Sequence, residues 1–156
     1  IKVYCMYDQY LWAFVMYFQY HGLQLVGGAE LPLYSFHVPA GFPSPAQDHI
    51  EREISLDELL GLRLPQTFLV RVAGDSMIGA GIFDGDLGVV DRAIEAKAGD
   101  IVIAALNNEP LVKRLHKEHG GYVLRSENPA YAPRPVLAGD EFSVWGVMRY
   151  SVRHHV

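Results

Sequence analysis

From Thr67 onward the chain is a succession of short apolar runs, each soon closed by glycine, aspartate or asparagine. Thr67-Phe68-Leu69-Val70-Arg71-Val72 is the first, and Leu87-Gly88-Val89-Val90-Asp91 follows it. Ile101–Leu106, Pro110–Leu115, Gly121–Ser126 and Phe142–Val152 complete the series. The runs are rich in β-branched and aromatic residues, which suit a pleated, half-buried surface. The turns between them fall at Asp84-Gly85-Asp86, Lys97-Ala98-Gly99-Asp100 and Asn107-Asn108-Glu109, with a loop at Asn128-Pro129 and Pro133. Such punctuation specifies a mostly β fold of short, strongly bent antiparallel strands. Ahead of it, Ser55 reads as the N-cap of one short helix, Leu56–Leu60, with Glu58 at the capping-box position and Gly61 as its stop. Pro45 could open another short helix holding Asp48, Glu51 and Glu53.

The first run leads into Val72-Ala73-Gly74-Asp75-Ser76-Met77-Ile78. Gly74 and Asp75 break the strand and leave Ser76 at a tight bend. A serine so placed has an exposed hydroxyl and backbone N–H groups beside it, so one turn can supply both a nucleophile and an oxyanion hole. An ordinary turn serine would look the same. The second signal is Lys113. In strand alternation it shares a face with Leu111 and Leu115, an odd place for a solvated lysine. A desolvated lysine has a lowered pKa and can serve as a general base. Ser76 with Lys113 would form a Ser-Lys variant of the serine-protease arrangement. The plainer alternative is a lysine that lays its stem along the sheet and sends its head to water.

Four segments taken together resolve this ambiguity: Gly74-Asp75-Ser76-Met77, Ile82-Phe83-Asp84-Gly85-Asp86-Leu87, Gly99-Asp100-Ile101-Val102 through Val112-Lys113-Arg114-Leu115, and Ser126-Glu127-Asn128-Pro129-Ala130-Tyr131. In content and order they resemble the LexA/UmuD family of self-cleaving Ser-Lys peptidases. With Gly41-Phe42-Pro43-Ser44-Pro45-Ala46, the likeness is greatest to the UmuD branch and its plasmid-borne relatives. The resemblance implies one catalytic domain of the LexA/UmuD C-terminal type, preceded by an extended arm. It implies Ser76 as nucleophile, Lys113 as general base, and the backbone N–H groups of Ser76 and Met77 as oxyanion donors. It places the scissile bond at Ala40-Gly41, where both residues are small enough for close approach to a nucleophile. Implied partners are a second copy of the chain, a RecA filament on single-stranded DNA and a UmuC-like Y-family polymerase, in a bacterial cytoplasm, during the SOS response to DNA damage. No cofactor and no metal are implied.

The arm fits this reading. Gly27-Gly28, Pro32 and Pro39 oppose a helix over residues 21–40, and an extended segment is what a protease cleft binds. The expected division is a prefix over residues 1–15, an arm over 16–46 carrying the cleavage site, and the peptidase domain over 47–156. The prefix belongs to a stretch unlike the rest, since eight of the first twenty residues are aromatic. Its apolar run is shorter than the roughly 18 residues of a membrane span, and it lacks the pattern of a secretory signal. Met16 is a sensible start, which would make the prefix upstream read-through or a fragment of something else.

Charge and composition narrow the alternatives. A formal net charge of −5 argues against a protein whose main work is gripping phosphate backbones. A single cysteine, Cys5, excludes an internal disulfide and a cysteine zinc site. Asp84, Asp86, Asp91 and Asp100 each sit where turn chemistry accounts for them without a cation. A LexA-type or phage repressor would carry a helix-turn-helix domain of about 60 to 70 residues ahead of the cleavage site. The segment ahead of Gly41 is neither helix-patterned nor basic, though truncation could remove such a domain. A signal peptidase would share the chemistry but needs an anchor. A non-catalytic β module would leave Ser76 and Lys113 far apart.

Overall fold

The computed structural model describes residues 28–34 and 50–155. Nine strands, one α-helix and one 3-10 turn (Ile78–Ala80) are assigned there. Strands β1 (Glu30–Tyr34) and β2 (Ile50–Ser55) pair antiparallel as a separate ribbon. Helix α1 (Leu56–Leu60) follows β2 directly. The remaining strands are β3 (Thr67–Arg71), β4 (Leu87–Asp91), β5 (Ile101–Leu106), β6 (Glu109–Glu118), β7 (Gly121–Arg125), β8 (Arg134–Pro135) and β9 (Phe142–Val152). They form one antiparallel sheet in the order β3-β4-β9-β5-β6-β7-β8. The mostly β architecture with one short helix is therefore as the punctuation specifies.

The last strand lies inside the sheet, between β4 and β5. Its register against each neighbour slips once. Val89 and Val90 face Tyr150 and Met148, which leaves Arg149 extra. Ile103 and Ala104 face Gly146 and Val144, which leaves Trp145 extra. Each bulge bends the strand and adds twist, and β9 pairs with β5 through Phe142–Val147 and with β4 through Val147–Val152. Gly146 sits beside the second bulge, and a Cβ there would lie 2.8 Å from both the Asp91 carbonyl oxygen and Val90 Cγ1. Gly146→Ala should therefore force β4 and β9 apart, at about 1–3 kcal/mol. A thermal melt of the variant should show a Tm several degrees lower, and an unchanged Tm would refute the close approach.

Alternation along β5 and β9 sends side chains into two buried clusters. Val102, Ala104, Leu106, Leu115, Leu124 and Val147 form one. Val72, Met77, Ile82 and Met148 form the other, with Ile101 and Val112 packed against it. β5 contributes to both, which is why Ile101–Leu106 reads as an unbroken apolar run. Asn107 and Asn108 take left-handed φ values of 53° and 66° in the two-residue link from β5 to β6, the conformation of a tight hairpin.

Two local expectations are corrected. Glu51 and Glu53 lie in β2, not in a helix after Pro45, because Ile50–Ser55 pairs with β1. Pro32 is tolerated opposite Glu53 because this two-stranded ribbon consists of edges. The capping box also does not form. Ser55 stands at the N-cap, but among the described residues its side chain makes no capping bond and its buried Oγ has no partner. Asp57, in the first turn of α1, instead accepts the Gly28 N–H and the Arg63 guanidinium. The stop at Gly61 is as read, with φ 67° and its N–H turned back to the helix carbonyls. The Lys113 strand runs on past His116 to Glu118. Ala40, Gly41 and residues 1–15 lie outside the described residues.

Candidate active site

Ser76 occupies the middle of a turn closed by the Ile78 N–H on the Asp75 carbonyl at 3.3 Å. The central residues of such a turn do not donate within it. Among the described residues, neither the Ser76 N–H nor the Met77 N–H is spent on a backbone carbonyl. Met77 is almost fully buried, packed with Val72, Ile82 and Met148. The pair Ser76-Met77 thus divides its work, with the methionine anchoring the turn in the core and the serine left half-buried at the surface.

The turn is held from two sides. On one, Gly74 takes φ 86°, and its N–H donates to Asp84 Oδ1 at 2.7 Å. The Gly85 N–H donates to the Val72 carbonyl, and the Val72 N–H to the Asp86 carbonyl. Asp86 is buried and accepts Arg153 Nε at 2.7 Å and Arg153 Nη2 at 2.6 Å, plus the Phe83 N–H at 2.9 Å. The Arg153 guanidinium stacks 3.8 Å over the Phe83 ring. The hydrogen-bonded Arg153 holds the Asp86 carboxyl down at about 2. A carboxylate depressed in the folded state stabilises it above the unfolded pKa of about 4. That stability should drain away as pH falls from about 4 to about 2. Asp86→Asn lacks this dependence, so the parent should lose more of its urea midpoint across that window than the variant does. Parallel losses would refute the assignment.

On the other side stands the loop after β7. The Glu127 carbonyl accepts the Gly79 N–H at 2.7 Å, and a Cβ on Gly79 would come within 2.4 Å of that same oxygen. Asn128 Nδ2 donates to the Asp75 carbonyl at 3.1 Å, and the Tyr131 hydroxyl donates to Asp75 Oδ1. Glu127 also pairs with Arg114, whose Nη1 donates to the Gly99 carbonyl at 2.6 Å. Glu127, Asn128 and Tyr131 were legible in the sequence as part of a motif, but nothing in their spacing announced that they grip the serine turn.

Lys113 is on β6, across from Val102, whose side chain is wholly buried. Its neighbours Leu111 and Leu115 both pack into the first core cluster. Lys113 Nζ reaches Ser76 Oγ at 2.7 Å, across 37 residues of sequence. Burial holds the Lys113 ammonium below the usual lysine range. The Tyr131 ring lies against it, with Nζ 5.8 Å from the ring centroid. The two residues singled out in the sequence are therefore brought into contact, and the lysine is partly desolvated there. Such a contact can pass a proton from hydroxyl to amine when the amine is neutral. No helix of the described residues is long and apolar enough to cross a membrane.

A β domain that sets a turn serine against a desolvated lysine has the features of a Ser-Lys hydrolase. The peptidase S24-like family model matches residues 32–149. The LexA repressor of Bordetella pertussis is 45% identical over 123 residues, which are 79% of this chain and 56% of that protein. Protein SamA of Salmonella typhimurium is 44% identical over 117 residues, covering 75% of this chain and 81% of SamA. Protein MucA of Salmonella typhimurium is 36% identical over 128 residues, covering 81% and 86%. The chain belongs to the peptidase S24-like family, within its LexA/UmuD group. It spans little more than half the length of the LexA repressors it matches.

Proposed function

We propose that this chain is a UmuD-like serine peptidase of the SOS response that cuts its own Ala40-Gly41 bond. The observation that carries the proposal is the 2.7 Å contact between Lys113 Nζ and Ser76 Oγ. Neutral Lys113 takes the Ser76 hydroxyl proton as Oγ attacks the Ala40 carbonyl. The oxyanion faces the Ser76 and Met77 N–H groups, one such donor being worth about 3 kcal/mol. As the Ala40-Gly41 bond breaks, the Lys113 proton passes to the departing Gly41 amine. Water, deprotonated by Lys113, then hydrolyses the Ala40 ester and frees Ser76. Between Gly41 and Ser76 the chain could extend about 115 Å, so reach alone permits cutting within one copy or across a homodimer.

In this reading a RecA filament on single-stranded DNA stimulates cutting. The shortened form then serves a UmuC-like Y-family polymerase in error-prone translesion synthesis in the bacterial cytoplasm. Matches covering most of SamA and MucA support the UmuD branch. The second reading is the C-terminal part of a LexA-type repressor inactivated by self-cleavage, and the 45% identity to a LexA repressor favours it. Both readings share the chemistry. Incubation of the purified chain at about pH 10 with intact-mass analysis tests it. A fragment beginning at Gly41 is expected. No such fragment, with or without an added RecA filament, would remove the peptidase reading.

A further inference from the structure

The Ser126–Tyr131 motif has no part in the chemistry above, yet it ends on a ring placed over the lysine. Tyr131 is half exposed, its ring centroid is 5.8 Å from Lys113 Nζ, and its hydroxyl donates to Asp75. An aromatic face within about 6 Å attracts an ammonium and has nothing comparable to offer a neutral amine. A phenol that donates to a carboxylate keeps more electron density in its ring, so the tie to Asp75 strengthens that attraction. We propose that Tyr131 is a positioning residue that favours the ammonium form of Lys113 and so sets the pH at which Ser76 is activated. The inference rests on Lys113 being the base of the proposed reaction.

Two influences on Lys113 then oppose each other. Burial against Leu111, Leu115 and Val102 disfavours the charge. Tyr131 favours it. Among the described residues, the other ionisable groups on the elements around the lysine are accounted for, and on β6 itself Glu109, His116 and Lys117 lie further along the strand. Asp75 on the serine turn is tied to Tyr131 and Asn128. Glu127 and Arg114 neutralise each other. On β7, Arg125 is paired with Glu118 of β6, and the Tyr122 ring lies tilted against Phe142. Asp100, beside the start of β5, caps the Lys97 N–H, and β5 itself brings no ionisable side chain. Among the described residues, Tyr131 is thus the group against Lys113 whose replacement changes its charge preference without adding or removing a formal charge. Its effect is a brake: at neutral pH it keeps a larger share of the lysine protonated and cutting slower.

The test uses the full chain with Ser76→Ala, which cannot cut, and follows the Lys113 ε-carbon by NMR through a pH titration. Tyr131→Leu should lower the midpoint by about half a pH unit. Tyr131→Trp, with a stronger ring, should hold or raise it. A midpoint that is unmoved or higher in Tyr131→Leu, with the sheet amide spectrum retained, overturns the inference. Such a rise would mean the ring acts by excluding water. If the leucine variant does not fold, a lowered midpoint in Tyr131→Trp overturns it alone. In the cutting chain, Tyr131→Leu should cleave about threefold faster below the midpoint. A midpoint that shifts in NMR while the cleavage profile stays put would overturn the control of Ser76 activation and, separately, remove Lys113 as the base.

Discussion

Ser76→Ala protein, held at about pH 10 for as long as the parent takes to cut itself, is expected to stay at full mass. The effect should be the largest of any single substitution, a loss of about 10⁴-fold or more, since deleting the nucleophile leaves no covalent route. Little else should change. The serine is half-buried on a turn whose anchor is Met77, and whose two flanks are held by Asp84 and by the Glu127–Tyr131 loop. None of those contacts uses the Ser76 hydroxyl, so the variant should melt close to the parent. A Gly41 fragment from Ser76→Ala would place the nucleophile elsewhere.

The second large effect belongs to Lys113. Cutting in the parent should accelerate with pH, by about tenfold per unit while most of the lysine is protonated, because only the amine accepts the serine proton. Burial brings that rise below where a free lysine would place it. Lys113→Met should abolish the rise along with the cleavage. The same burial has a stability side, with its own sign. A lysine whose folded pKa is depressed binds fewer protons folded than unfolded between the two values. Folding is therefore disfavoured by the charge below that window and recovers as pH climbs through it. Lys113→Met removes the charge and keeps the volume, so at pH 7 it should melt no lower than the parent. A clearly lower Tm, or a cleavage rate flat with pH in the parent, would show that the lysine is not held as described.

Strand positions were legible because they rest on local physics, and the same physics singled out Ser76 and Lys113, although only the family resemblance chose them over an ordinary turn serine and a surface lysine. Alternation around Lys113 and the glycine break before Ser76 each need only a few consecutive residues. The Phe142–Val152 strand is found with the bounds read from its composition. What was not legible depends on distant partners. Glu51 and Glu53 look like helix formers until Ile50–Ser55 is seen paired with Glu30–Tyr34. Ser55 followed by Glu58 has the letters of a capping box, but Asp57 is the residue engaged, by a glycine 29 positions upstream. Asp86 is read correctly as a turn residue, yet its burial against Arg153 could not be foreseen, because 67 residues separate them. The grip of Tyr131 on Asp75 spans 56.

The ribbon at the front of the chain has a consequence for what self-cleavage would do. Its register sets Glu30 against Ser55 and Tyr34 against Ile50, so Ala40-Gly41 falls in the connection between two paired strands. Cutting there would leave β1 and β2 on separate polypeptides, joined among the described residues by one short ladder and the Gly28–Asp57 hydrogen bond. A partner once covalently leashed becomes a ligand that dilution can remove. Two strands alone are marginal in water, so the released piece would tend to leave, baring the backbone of Ile50–Ser55 as a fresh strand edge. The nick would thus not merely shorten the protein. It would free a second edge of β2 for a new partner, on a timetable set by the chemistry of a single amide.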